Sequence, residues 1–176
     1  GTWPPWIWQD LKTKEMNGIA PKIMEEVAKQ LNLKLDWPEE TGWGELPTSL
    51  YNGRVDVACS TMWNDPARGR QVAFTHPLFY MAVYAFARED ETRFNGSLER
   101  ANAPDIRISV QEGDFSFALA KHLFPKAQLV TIPSNSSAAD VLLNVTTGKA
   151  DLTILEPVAM QDFNAANSKK LKRVGP

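Results

Sequence analysis

The sequence is poor in the residues that most often announce chemistry. Of its 176 residues only one is cysteine and two are histidine. Cys59 has no partner for an internal disulfide, so it leaves the redox compartment open. It ends the apolar run 55–59, where a small buried hydrophobe is expected. His76 and His122 lie far apart with no Cys or His at metal-ligand spacing, so no metal or other cofactor is expected and both read as structural or surface residues. No apolar run approaches the roughly 18 residues of a membrane span. No charged-then-apolar leader opens the chain either, which leaves location undecided. Neither sign of charge dominates. The net charge is −2, and the scattered Lys and Arg form no basic patch of the kind nucleic acid requires. Repeats, low-complexity segments and phosphate-cradling glycine loops are also missing. What remains is an ordinary soluble composition, 43% hydrophobic and 23% charged, long enough to bury a core.

Tryptophan is the exception to this scarcity. All six, Trp3, Trp6, Trp8, Trp37, Trp43 and Trp63, fall in the first half of the chain. Trp3-Pro4-Pro5-Trp6 cannot be helical because of its prolines. Apolar residues then recur at three- and four-residue steps and predict a helix over 19–31. Residues 33–37 alternate as a short strand would, with Trp37 expected in the core. A helix is expected over 44–51, stopped by Asn52-Gly53, and a buried strand over 55–59.

The chain is apolar and aromatic over 78–87 and turns charged at 88–91. A second series then follows, with strands expected at 106–110, 129–132 and 152–155. Helices are expected at 115–123, at 138–145 and after Pro157. Strands alternating with helices predict an α/β chain of two lobes, each a mainly parallel sheet flanked by helices. The lobes are expected at 1–86 and 87–176, joined by an extended crossover near 84–92. In such sheets ligands meet the loops at the carboxyl ends of strands. The loops 2–8, 60–68 and 113–116 and the turn at Glu156 are therefore the candidate site, with a cleft between the lobes.

Ordered motifs support a resemblance. Asn17-Gly18-Ile19, the 46–50 stretch, Gly53-Arg54-Val55-Asp56, Pro66-Ala67-Arg68, Gln71-Val72 and Phe74-Thr75-His76-Pro77 succeed one another at recognisable spacings. Val110-Gln111-Glu112-Gly113 and Gly148-Lys149-Ala150-Asp151 continue the series. Together they resemble the bacterial extracellular solute-binding proteins of family 3, the amino-acid-binding components of ABC importers. The resemblance implies a two-lobed periplasmic-binding-protein fold that closes on a zwitterionic or cationic amino-acid-like solute. It also implies a first strand ahead of the position of Gly1, and a return crossover and helix beyond that of Pro176. A periplasmic or extracellular monomer, secreted or lipid-anchored and serving a membrane permease, is the expected context. The same module fused to a signalling or cell-wall lytic domain is the alternative. A dehydratase on this fold is a further one, but the acid that it would place three residues beyond Glu156 is Ala159 here, and no enzyme is expected.

Residue by residue, the resemblance places the ligand carboxylate on Arg68, whose guanidinium fork suits two oxygens. Glu156 takes the place of an acidic partner for the ligand amine, unless it only caps a helix. Asp114 either faces the ligand or caps the helix beginning near Phe115, which shares its loop. Trp43 and Trp3 align with aromatics that pack on the ligand, and Trp6 is a further candidate. Ser60 and Thr61 match hydroxyl positions at the ligand, and Trp63 stands where relatives often have a small hydroxyl residue. Asp56 and Asp151 match aspartates that are structural.

Overall fold

The apolar face at 19–31 folds as helix α1, Ile19–Gln30, in the computed structural model of the chain, which describes residues 2–38 and 40–176. Its first amides receive no side-chain cap. Instead Ile19 N–H donates to Pro5 carbonyl at 3.2 Å and Ala20 N–H to Trp6 carbonyl at 3.0 Å. The tryptophan loop is thereby fastened to the helix through orphan donors that every helix start presents. Gly18 makes this approach possible: its φ is +116°, and a Cβ there would stand 2.4 Å from the Trp6 carbonyl oxygen. Strands β1 (Trp8–Gln9) and β2 (Met16–Asn17) close a short antiparallel hairpin beside it. Helix α2, Leu46–Tyr51, begins with Pro47 in its first turn and ends at Asn52, matching the expected stop.

These elements belong to the first of two compact units, residues 1–76 and 77–176. In this unit the strands expected at 33–37 and 55–59 do not form; both segments are irregular. A strand exists only by pairing, and neither segment joins a ladder among the described residues. Trp37, expected in the core, is accordingly 39% exposed.

The second unit carries a five-stranded mixed sheet in the order β5-β4-β6-β3-β7, built from β3 (Tyr84–Arg88), β4 (Arg107–Gln111), β5 (Gln128–Ile132), β6 (Leu152–Leu155) and β7 (Leu171–Val174). β4 pairs in parallel with β5 and β6, whereas β3 pairs antiparallel with β6 and β7. Helices α3 (Phe115–Leu123), α4 (Ala138–Thr146) and α5 (Pro157–Ala166) provide the connections. Phe94, Ile106, Ile108, Val110 and Leu152 are wholly buried in one apolar cluster. Each such side chain contributes about 1.5–3 kcal/mol through burial.

At the amino ends of β4 and β6 a charged network fixes the strands. Asp151 accepts from Arg107 N–H at 2.9 Å and from Arg93 Nη2 at 2.8 Å. Burial would raise its carboxyl, but the hydrogen bonds from Arg107 and Arg93 outweigh that and hold it below the ordinary range. Glu91 is lowered in the same way, chiefly by its hydrogen bonds from Arg93. The structural role expected for Asp151 is this one.

Candidate functional site

In the first unit the loop after residue 59 is organised around Arg68. Asp65 Oδ1 accepts from the N–H groups of Ala67 at 2.9 Å and Arg68 at 3.0 Å, starting a short 3-10 turn, Arg68–Arg70. Its Oδ2 pairs with Arg68 Nε at 3.2 Å. Arg68 Nη1 donates to the Trp63 carbonyl at 3.1 Å, so two of the expected ligand residues meet here. The Arg68 side chain is only 12% exposed. A guanidinium this desolvated, with its orientation set by neighbours in the chain, is suited to bidentate capture of a carboxylate.

Trp3 and Trp43 are 6% and 8% exposed and meet edge-to-face with ring centroids 6.1 Å apart. Trp3 sits in a tight loop, its N–H donating to Ile7 carbonyl at 2.7 Å while its own carbonyl accepts from Trp6 N–H at 2.9 Å. Trp6 is half-buried in this loop. A cavity of about 870 Å³ opens within the unit, lined by Met24, Leu35, Trp43, Leu46, Val57 and Ser60 among others. Trp43 Nε1 and Ser60 Oγ are buried without a hydrogen-bond partner among the described residues. Both can donate to an incoming acceptor. Thr61, Trp63 and Arg68 are not among the residues lining this cavity. Cys59, also on its wall, lies with Sγ 3.1 Å from Ala20 carbonyl, and burial together with Glu25 pushes the thiol up to about 12. It is an inert thiol at neutral pH.

In the second unit parallel pairing of β4 and β6, with Ile108 opposite Leu152, brings their carboxyl ends to one edge of the sheet. The loop Glu112-Gly113-Asp114 and Glu156 both leave from this edge. Gly113 turns the chain at φ +74°, and Asp114 then caps α3, its Oδ2 accepting from Ser116 N–H at 2.9 Å and Ser116 Oγ at 2.6 Å. Of the two roles open to Asp114, capping is the one observed. Phe115 is half-buried as the first residue of α3. Glu156 stands at the N-terminus of α5, 6% exposed, and its side chain makes no capping hydrogen bond to that helix.

Two residues escaped the sequence reading. Asp65 is the first; an aspartate followed by proline at a turn start is a recognisable cap signal. Gln111 is the second, wholly buried at the end of β4 with Nε2 donating to the carbonyls of Ser134 at 3.0 Å and Ser136 at 2.7 Å. It stands within the motif Val110-Gln111-Glu112-Gly113, but nothing local marks its hydrogen-bonding role, because its partners lie more than twenty residues away.

The described residues thus form an α/β chain with a sheltered guanidinium, Arg68, in its first unit and, taken separately, a buried carboxylate, Glu156, in its second. Comparison with solved structures agrees. The chain superposes with TM-score 0.82 and 25% identity on an ancestral amino-acid-binding protein described as a precursor of cyclohexadienyl dehydratase, over 99% of this chain and 76% of that one. Residues 1–153 match the family model of the bacterial extracellular solute-binding proteins, family 3, and the chain belongs to that family. It is 27% identical over 146 residues to an amino-acid-binding protein of Dichelobacter nodosus, covering 83% of this chain and 56% of the relative. It is also 27% identical over 154 residues to a probable histidine-binding protein of Campylobacter jejuni, covering 87% and 57%. The chain thus spans little more than half the length of these curated relatives.

Proposed function

We propose that this chain is the ligand-holding part of a periplasmic or extracellular receptor for an amino-acid-like solute, zwitterionic or cationic, which passes its cargo to the membrane permease of an ABC importer. The observation that supports this reading best is the largely sheltered, pre-oriented guanidinium of Arg68. An arginine costs free energy to desolvate, and a ligand carboxylate offsets that cost through charge-assisted hydrogen bonds of about 1.5–3 kcal/mol. Glu156, buried and not used as a cap, supplies the complementary charge for an ammonium group. Trp43 and Ser60 add donors, and the aromatic faces of Trp3, Trp6 and Trp63 suit aliphatic stems and cations. Thr61 and Phe115 complete the proposed contacts, while Asp114 acts by holding the start of α3.

The role is capture without chemistry: the curated relatives above are named as binding proteins, and Ala159 stands where a dehydratase of this fold would need its acid. The test is calorimetric titration of the full-length protein with L-histidine, L-lysine, L-arginine and neutral amino acids. At least one is expected to bind, and Arg68→Ala is expected to weaken it about 100-fold, the loss of one bidentate charged contact. Equal affinity in wild type and variant overturns the carboxylate assignment.

A further inference from the structure

We propose that Asp65 is the positioning residue for Arg68, and so tunes the site's preference for a ligand carboxylate over an uncharged end. The inference rests on the proposed function, because it gives Asp65 a task only where Arg68 meets ligand. Its grounds are geometric. One carboxylate performs two jobs: Oδ1 holds the N–H groups of Ala67 and Arg68, and Oδ2 holds Arg68 Nε at 3.2 Å. Its backbone carbonyl also accepts from Gly69 N–H at 3.0 Å, so Asp65 fixes the turn and the side chain together. The Trp63 carbonyl takes Nη1 from another direction.

An arginine side chain has many rotamers, and a clamp at Nε removes torsional freedom before ligand arrives. The clamp is itself sheltered, since the side chain of Asp65 is only 18% exposed. Solvent therefore screens the pair less than it would a surface pair. The pair is local, made by residues three apart, so the orientation of Arg68 is written into the segment 63–68 rather than into distant packing.

Asp65→Asn separates the two jobs. Asparagine is as good a helix-start cap as aspartate, so the turn is kept while the carboxylate charge facing Arg68 Nε is removed. In the full-length protein, ¹H–¹⁵N spectra should show a slowly exchanging Arg68 Nε–H in the wild type that is lost in the variant. The probe is whichever of L-histidine, L-lysine and L-arginine binds the wild type most tightly, compared with its own amide. The affinity ratio of acid to amide should fall about 10-fold in Asp65→Asn, the size of one charged hydrogen bond. A purely structural role would weaken both probes equally and leave the ratio unchanged.

An unchanged ratio, or an unprotected Nε–H in the wild type, overturns the positioning role. Arg68→Ala distinguishes the two levels. If it collapses the ratio while Asp65→Asn does not, Asp65 alone is misassigned. If neither variant changes the ratio, or no probe binds the wild type, the proposed function falls and the positioning role falls with it.

Discussion

Residues 77–176 and residues 1–76 hold themselves together by different means. The second unit has a sheet of five strands, a wholly buried apolar cluster and a charged network joining Arg93, Arg107, Glu91 and Asp151. Among the described residues the first has two α-helices, a hairpin of two-residue strands and a loop held by the amides of α1, around an 870 Å³ cavity. It also holds every tryptophan, none of which lies beyond Trp63. The contrast teaches where each unit is vulnerable. Stability in the second unit is distributed over many buried contacts, while in the first it depends on a few local fastenings.

The difference can be broken from either side. Phe94 is wholly buried in the second unit's cluster, and Phe94→Ala should cost about 3–5 kcal/mol in chemical denaturation. Because tryptophan fluorescence reports only the first unit, this loss should be larger by far-UV circular dichroism than by fluorescence. Coincident shifts in both probes would show that the units unfold as one.

A smaller effect is expected at the network. Asp151→Asn removes a buried charge from between Arg93 and Arg107, but both guanidiniums stay partly exposed, so a loss of about 2–3 kcal/mol is expected rather than the full value for buried pairs. The same groups give a pH signature. Asp151 and Glu91 have folded pKa values below their ordinary ones. Their contribution is therefore fully present above the unfolded carboxylate range and is lost as pH falls through the lowered values. Acid melts of wild type and Asp151→Asn should converge as pH falls through the lowered carboxyl values; curves that stay parallel there contradict the assignment.

In the first unit Gly18→Ala places a Cβ against the Trp6 carbonyl at a positive φ. It should cost about 2 kcal/mol and change the tryptophan emission, since the loop must leave α1. Smallest is Asp114→Ala, expected to cost about 1 kcal/mol through the lost cap of α3. An effect on ligand affinity much beyond that loss would return Asp114 to the binding role that its contacts with Ser116 argue against.

Legibility in the sequence follows the same division. The helix expected at 115–123 and the strand at 152–155 are found at those bounds, and α1 ends one residue short of its expectation. The strand patterns at 33–37 and 55–59 are as good as that of β6, yet only β6 has neighbours, on both sides. β7 and the short hairpin strands escaped notice, because two to four residues bear too little periodicity. Among site residues, Arg68 was read through a motif, and its clamp Asp65 is three residues away. Glu156 was read through position, and its burial could not have been. The expectation for Trp37 failed with the strand that was to bury it.

By itself, then, the sequence determined what is short in range: the helices and their stops, the cap at Asp114, and the family motifs threaded between them. Those interactions close over two to four residues, so little chain entropy opposes them and local residue choice decides them. Only the tertiary structure decided which strand patterns became strands, that Gln111 would secure residues 134–136, and that Asp151 would join Arg93 from 58 residues away. Such contacts order long loops before they yield any interaction, and whether they form depends on what else is packed alongside.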